Sequence, residues 1–536
     1  MPWEIVILTL SEVEGEDLLP VRSAEILNAY PARHRRSLPA TLCHYVLILS
    51  FFIAASATAS AQRLVFAHYM LTNQDYQADT DPTQEAKIAS YQREIREAQS
   101  LSIDGFALNA GGWLKQPYYI RYAAQMFEAA ARLNNGFKLT FSIDLCCGNN
   151  AADAEDMMRR FANNPRYARV YFKYQGKFVL TTFAGEKQGP AFWRQIKTDL
   201  LSGSHPSTTS FPNVLAQASG PPSNSSLPIF LVPAFFWGGE LPSRTAIEQG
   251  MNQWKTIIID GSFYWGIAGV PDSHDPRDQI PSSEAYASVV HAAGKLYMAP
   301  VAPQFWGANA NRYYEYSGGA GMRSLWMDAI NVSHPDWVEI ITWNDFIEGT
   351  YISPIDDPNR HPGANYLTSS GIPLETQDYF HSHAAAGDLI RYFIRWYKTG
   401  QQPAITTDTI YWFYRTQSAK ADAGVPPVTN KYGPVADVIY ITANITAPAT
   451  LRVRSGKLIT SIRVPAGSHD VSVPFTTGST PFFELLRDNH IILRGSGRDE
   501  IQSSPRFNNF YYSTGELTSP PRNAAHRRNN PAHIVK

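Results

Sequence analysis

The 536-residue chain is poor in cysteine and poor in charge. Its three cysteines, Cys43, Cys146 and Cys147, are too few for a disulfide scaffold, and none of them makes the CxxC spacing of a zinc site. Charged residues make up only 17% of the chain, below the usual share of about 25%. The 46 basic and 47 acidic residues leave a net charge of −1. A chain without a basic block lacks the positive footprint that displaces counterions from nucleic acid. No GxGxxG follows a strand-like run and no GxxxxGK[ST] occurs, so dinucleotide and P-loop readings lose support. With no HExxH and no clustered histidines, no metal and no cofactor is expected. What the chain has in quantity is aromatic side chains, 12 Trp, 28 Tyr and 27 Phe. An apolar share of 44% is ample for a large folded core and excludes wholesale disorder.

The first sixty residues read as a leader. A basic patch, Arg33-His34-Arg35-Arg36, precedes an apolar run from Tyr45 to Ala55, and small residues end in Ala59-Ser60-Ala61. This order is that of a secretory signal with an A-x-A cleavage site over about residues 33–61. The run is shorter than the ~20 residues of a membrane span, so no stable membrane insertion is expected once the signal is cleaved. Residues 1–32 read either as a true extension or as a misassigned start. Sequons at Asn224, Asn331 and Asn444 agree with a secreted glycoprotein. The expected location is extracellular or in a cell wall, and the expected oligomeric state is a monomer.

From residue 62 apolar, β-rich runs alternate with stretches of helical composition. Eight runs recur: Leu64–Met70, Gly105–Asn109, Leu139–Leu145, Phe178–Phe183, Ile229–Phe236, Ser262–Trp265, Leu296–Val301 and Val338–Trp343. Strand–helix alternation predicts a parallel sheet, and eight units match a (β/α)8 barrel better than an open sheet. Past Gly400 the texture changes: Pro403, Pro426 and Pro427 mark a linker-like stretch, followed by short alternating runs typical of a sandwich. The expected fold is therefore α/β, a (β/α)8 TIM-type barrel with a C-terminal β-sandwich-like accessory domain. Its boundaries are 1–61 for the leader, 62–402 for the barrel, 403–496 for the β-rich domain and 497–536 for a disordered tail.

Barrel chemistry sits at the C-terminal ends of the strands, so the polar residues ending the eight runs are the candidates. They include His68 and Tyr69, Asn109, Asp144, Trp265, Trp306, and Trp343-Asn344-Asp345 leading to Glu348. A rim of carboxylates and aromatics without a Ser-His-Asp arrangement suits glycoside cleavage. There one carboxylic acid protonates the departing oxygen and a second carboxylate activates water or supports the cation-like transition state. Asp345 and Glu348, three residues apart after the last run, are the catalytic candidates. The same spacing also fits a cap at Asp345 with Glu348 as its capping-box partner. His68, Tyr69, Asn109, Asp144 and Asn344 are candidate sugar contacts, with Trp265, Trp306 and Trp343 as stacking platforms. Asp144 reads equally as a helix cap, and His68 also as a core histidine. Asp104 and Asp260 precede their strands, where a structural role is expected. Cys146-Cys147 read as a vicinal disulfide or as two reduced core thiols.

These residues carry a resemblance. The segments Val65–Met70, Ile103–Asn109, Phe141–Asp144, Thr182–Gly185, Asp260-Gly261, Tyr297–Val301, Trp343-Asn344-Asp345 with Glu348, and Trp396–Gly400 resemble the fungal α-1,3-glucanases, or mutanases, of glycoside hydrolase family 71. The resemblance covers about residues 63–490. It implies endo-hydrolysis of α-1,3-glucan, a fungal wall polymer and a component of plaque mutan, with inversion and with the acid pair on Asp345 and Glu348. Around the second acid the chain reads Ile347-Glu348-Gly349-Thr350, whereas mutanases tend to have Gly-Glu-Ser. A related family of endo-α-mannosidases carries a similar Trp-Asn-acid-x-x-Glu-Gly-Thr segment. The expectation is thus a secreted, metal-independent endo-1,3-α-glucanase. The alternatives are a non-catalytic glucan-binding wall protein and a glycosidase of another α-linked polysaccharide.

Overall fold

The computed structural model describes residues 62–72, 84–203, 225–254, 258–266, 276–307, 311–354 and 381–519, except positions 429 and 434. The expected signal segment and the sequon at Asn224 lie outside these residues. Among the described residues no helix is long and apolar enough to cross a membrane.

Eight parallel strands build the first part: β1 Leu64–Met70, β2 Gly105–Ala110, β3 Lys138–Asp144, β4 Lys177–Phe183, β5 Ile229–Pro233, β6 Gly261–Ser262, β7 Leu296–Val301 and β8 Trp337–Ile340. Each is apolar and almost wholly buried, as strands covered on both faces must be. Parallel ladders join β1 to β2, β2 to β3, β3 to β4 and β4 to β5. Others join β6 to β7, β7 to β8 and β8 back to β1. Between β5 and β6 the circuit continues through a parallel bridge, Ala234 to Phe263, where the Phe235 N–H donates to the Phe263 carbonyl at 2.9 Å. The α/β-barrel expectation therefore describes the observed strand order.

Eight helices alternate with the strands: α1 Gln84–Ser100, α2 Tyr118–Leu133, α3 Ala151–Ala162, α4 Gly189–Ser202, α5 Arg244–Trp254, α6 Ile280–Ala292, α7 Gly319–Asn331 and α8 Ala384–Thr399. Local chemistry sets their ends. In α3 the Asn150 side chain accepts from the Ala152 and Asp153 N–H groups and Asp153 answers from N3, a capping box. Helix α8 stops at Gly400, whose left-handed φ of 68° ends the helix without Cβ strain. Below the strands, Asp260 pairs with Lys177 and Lys197, and Asp104 pairs with Lys398 and accepts from the Val65 N–H. Both aspartates hold the barrel's N-terminal end, as their positions before the strands suggest.

Inside the barrel the bottom is filled by rings. Trp337 on β8 meets Phe66 on β1, and across the interior it meets Phe230 on β5. Phe172 and Tyr174, from the hairpin leading into β4, pack on the same indole.

The expected linker is not one. Residues Thr409–Arg415 form β9, buried along its whole length. Alternate side chains serve two cores: Tyr411 and Phe413 join the barrel cluster, while Ile410, Trp412 and Tyr414 join a second cluster. That two-sided burial removes the apolar/polar alternation that marks a strand in sequence. The further strands are β10 Val438–Ile445, β11 Ala449–Ser455, β12 Leu458–Val464, β13 Gly467–Pro474, β14 Phe482–Arg487, β15 His490–Ser496 and β16 Tyr512–Thr518. They form two four-stranded sheets, β13-β10-β9-β16 and β12-β11-β14-β15, which share the second apolar cluster.

The expected tail also begins too early. Strand β16 pairs with β9 over seven residues, and Phe507, Phe510 and Tyr511 are buried against the barrel side. Asn444 lies largely buried in β10 and its Oδ1 accepts a hydrogen bond from the Ser468 hydroxyl at 2.5 Å. Asn331, at the end of α7, is exposed.

Candidate active site

The loop after β8 carries the acids. Asp345 is 7% exposed, and its Oδ1 accepts the N–H groups of Ile347 and Glu348, both at 3.1 Å. The capping role foreseen for Asp345 is therefore present, and it fixes the turn that presents Glu348. The Asp345 N–H donates to the Thr342 hydroxyl at 2.8 Å, and Thr342 meets Thr350 at 3.0 Å. At Gly349 the turn reverses with φ of +65°, a conformation that favours glycine.

Burial pushes the Asp345 carboxyl above its usual range; the Glu348 N–H, the nearby His68 and the Ile347 N–H pull it back. Glu348 rises further, to about 8: withdrawal from water acts first and the neighbouring Asp345 charge second, with Arg312 opposing. Two carboxyls that share one turn and cannot both ionise freely divide into an acid and a base. The upward shift favours the protonated form of Glu348, the form that can protonate a glycosidic oxygen.

Behind the acids, the His68 Nδ1–H faces the Glu339 carboxylate at 2.9 Å, both residues wholly buried. Trp265 stands edge-on over the imidazole with centroids 4.6 Å apart and meets Phe183 at 4.9 Å. Among the described residues neither His68 Nε2 nor Glu339 Oε2 has a hydrogen-bond partner. Glu339 was absent from the sequence candidates. Its signal was visible all the same: one charged residue inside the apolar run of β8.

The other candidates divide. His68 on β1 and Asn109 on β2 share a strand face, because His68 pairs with Ala107 and Met70 with Asn109. Asp144 ends β3 and acts as a loop cap: its Oδ1 accepts from the Cys146 N–H at 2.8 Å and the Cys147 N–H at 3.3 Å, and the Cys147 thiol donates to Oδ2 at 3.4 Å. Both cysteines are free thiols and exposed, not core thiols and not a disulfide. Burial and the Asp144 charge push the Cys147 thiol up to about 12.

Three aromatics cannot serve as assigned. Tyr69 and Trp343 lie on the far side of the sheet, where the Tyr69 hydroxyl and the Trp343 Nε1–H both donate to Glu94, at 3.0 and 2.9 Å. Trp306 is fully buried against Tyr313 and Phe510, so it offers no face for a sugar ring. Asn344 is also committed, since its amide spans the Met70 N–H at 2.7 Å and the Met70 carbonyl at 3.1 Å. That double bond ties the acid loop to the end of β1. Of the expected platforms Trp265 alone faces the acids' side. Among the described residues no group of three or more His, Cys, Asp or Glu is arranged to hold a metal ion.

An α/β barrel with two neighbouring carboxyls, both raised by burial, directly after its last strand suits glycoside hydrolysis. The chain belongs to glycosyl hydrolase family 71, whose sequence profile matches residues 61–526. It is similar to a glucan endo-1,3-alpha-glucosidase of Schizosaccharomyces pombe, 26% identical over 481 residues that cover 88% of this chain and 99% of the relative. A mutanase of Penicillium rubens is 26% identical over 469 residues, 86% of this chain and 90% of the relative. Among solved structures, a family 99 endo-alpha-mannosidase of Bacteroides thetaiotaomicron aligns with a TM-score of 0.42 and 13% identity, covering 64% of this chain and 99% of that one.

Proposed function

We propose that this family 71 hydrolase cleaves α-1,3-glucosidic bonds within α-1,3-glucan. One observation supports the assignment of roles: Asp345 and Glu348 share one turn directly after β8, where the Asp345 Oδ1 accepts the Glu348 N–H and burial with the Asp345 charge raises the Glu348 carboxyl. Glu348 is the general acid that protonates the leaving glucosyl oxygen. Asp345 is the base, or the group that positions the reacting water or sugar hydroxyl. Trp265 supplies a sugar-facing ring, and His68, Asn109 and Asp144 line the cleft. The cleavage is internal to the chain and inverting. The two C-terminal sheets form a sandwich-like accessory domain packed on the barrel.

The relatives named as glucanase and mutanase support the substrate, and a leader over residues 33–61 supports an extracellular or wall location, with Asn331 the accessible glycan acceptor. The test is reducing-sugar release from insoluble α-1,3-glucan by wild type, Asp345→Asn and Glu348→Gln. Loss in both variants is expected; full activity in both would sink the assignment. A non-catalytic glucan binder instead predicts pull-down of the polymer without turnover in any variant. A panel of α-glucans and α-mannans separates the remaining substrates.

A further inference from the structure

The turn that carries the acids is gripped by its carbonyl oxygens, and the grips come from outside it. The Trp306 N–H donates to the Glu348 carbonyl at 2.8 Å, and the Gln304 amide donates to the Gly349 carbonyl at 2.6 Å. The Thr342 N–H takes the Thr350 carbonyl at 3.0 Å. The Phe346 carbonyl, between the two acids, accepts from the hydroxyl of Tyr511, 165 residues downstream. Tyr511 is fully buried, and its ring lies so close to Gly349 that a Cβ there would meet Cε1 at 2.5 Å. One side chain thus bonds the turn at one position and packs on it three residues later.

We propose that Tyr511 is a positioning residue for the hydrolytic reaction, fixing the turn so that Asp345 and Glu348 stand at a set height in the cleft. This rests on the roles proposed for those acids. The physical case is that a five-residue loop pinned only by neighbours in sequence keeps several backbone states open. A rigid phenol held in a buried aromatic cluster immediately before β16 selects one. The Gln304 grip belongs to the same segment: the Tyr512 N–H donates to the Gln304 side-chain Oε1 at 3.4 Å. The C-terminal segment is on this reading part of the catalytic apparatus.

The experiment uses the full chain and soluble α-1,3-gluco-oligosaccharides, with kcat, KM, pH profile, circular dichroism and Tm for four proteins: wild type, Tyr511→Phe, Tyr313→Phe and Glu348→Gln. Tyr511→Phe removes the grip and keeps the ring. A misplacement on the order of 1 Å costs up to ~100-fold in rate, so a fall in kcat of about 10-fold or more is expected. KM should stay within about 2-fold, and the alkaline limb of kcat/KM should move to lower pH as water reaches the loosened Glu348. Tyr313→Phe deletes another buried hydroxyl of the same aromatic cluster, one that meets the Tyr512 hydroxyl and Arg415, and should keep the wild-type kcat and limb. Wild-type kcat and limb in Tyr511→Phe overturn the proposal. Equal effects in Tyr313→Phe overturn it as well, because they would reflect general loosening. So does loss of the folded signal in Tyr511→Phe, which would make the hydroxyl structural. Full activity in Glu348→Gln sinks the assignment of the acids instead.

Discussion

Adjacent residues at the top of β1 live in different worlds. His68 turns into the barrel toward Glu339 and Trp265, while Tyr69 turns outward to share the buried Glu94 with Trp343. The contrast repeats across the loop after β8, where Trp343 goes behind the sheet and Asp345 stays with the acids' turn. His68, Glu339, Tyr69 and Trp343 are all wholly buried. The difference is in what their hydrogen bonds leave over. On the outer face each named donor has found its acceptor, which is how a buried carboxylate is kept without loss. On the inner face His68 Nε2 and Glu339 Oε2 keep unused capacity. Burial and hydrogen bonding alone do not distinguish a site from a core. Incomplete pairing on the side of the strand ends does.

Substitutions on the two faces should therefore fail in different ways. The largest effect belongs to the acids: Glu348→Gln or Asp345→Asn should lower kcat by about 10²–10⁴-fold, the usual weight of general acid–base groups, with polymer pull-down retained. Next comes Glu339→Gln, which weakens the orientation of His68 and should cost on the order of 10-fold in kcat/KM with little change in Tm. An equal loss from Tyr69→Phe would erase the distinction between the faces. Trp265→Ala should raise KM several-fold, as expected for about 1 kcal/mol of aromatic contact. Smallest in catalysis are Tyr69→Phe and Trp343→Phe. These should leave kcat/KM within about 2-fold while costing about 1–3 kcal/mol in urea unfolding, since each deprives Glu94 of a donor.

The pH behaviour sharpens the same point. If Glu348 is the general acid as proposed, kcat/KM should fall as pH rises through about 8. Stability follows the same sign. Glu348 binds its proton more tightly in the native protein than in the unfolded chain, so between its ordinary value and about 8 the native state holds more protons. Its contribution is therefore present at low pH and lost across that window. Glu348→Gln should flatten this part of a Tm-against-pH curve, and an unchanged slope would assign the perturbation elsewhere.

Much of the barrel was legible because buried parallel strands announce themselves as apolar runs; Leu64–Met70 and Leu296–Val301 fall where the sequence puts them. That Asp345 and Glu348 fall directly after the last barrel strand was legible from strand order. What a linear reading misses is which side chains a distant segment covers. Trp306 reads as a platform until Phe510, 204 positions on, lies against it. The stretch Phe507–Tyr512 is flanked by Arg, Asn, Ser and Pro and has no period of its own, so its order comes from long-range burial. The same holds for β9, whose strand pattern is hidden because both of its faces are apolar. Glu339 was a missed opportunity rather than a hidden one, because a lone carboxylate in the middle of a buried strand always needs a reason.

The aromatic stopper at the base of the barrel, centred on Trp337 and joined across the interior to Phe230, makes the strand circuit a filled core and not a pore. On the roles proposed for Asp345 and Glu348, a glucan and the water that attacks it then approach from the strand-end side.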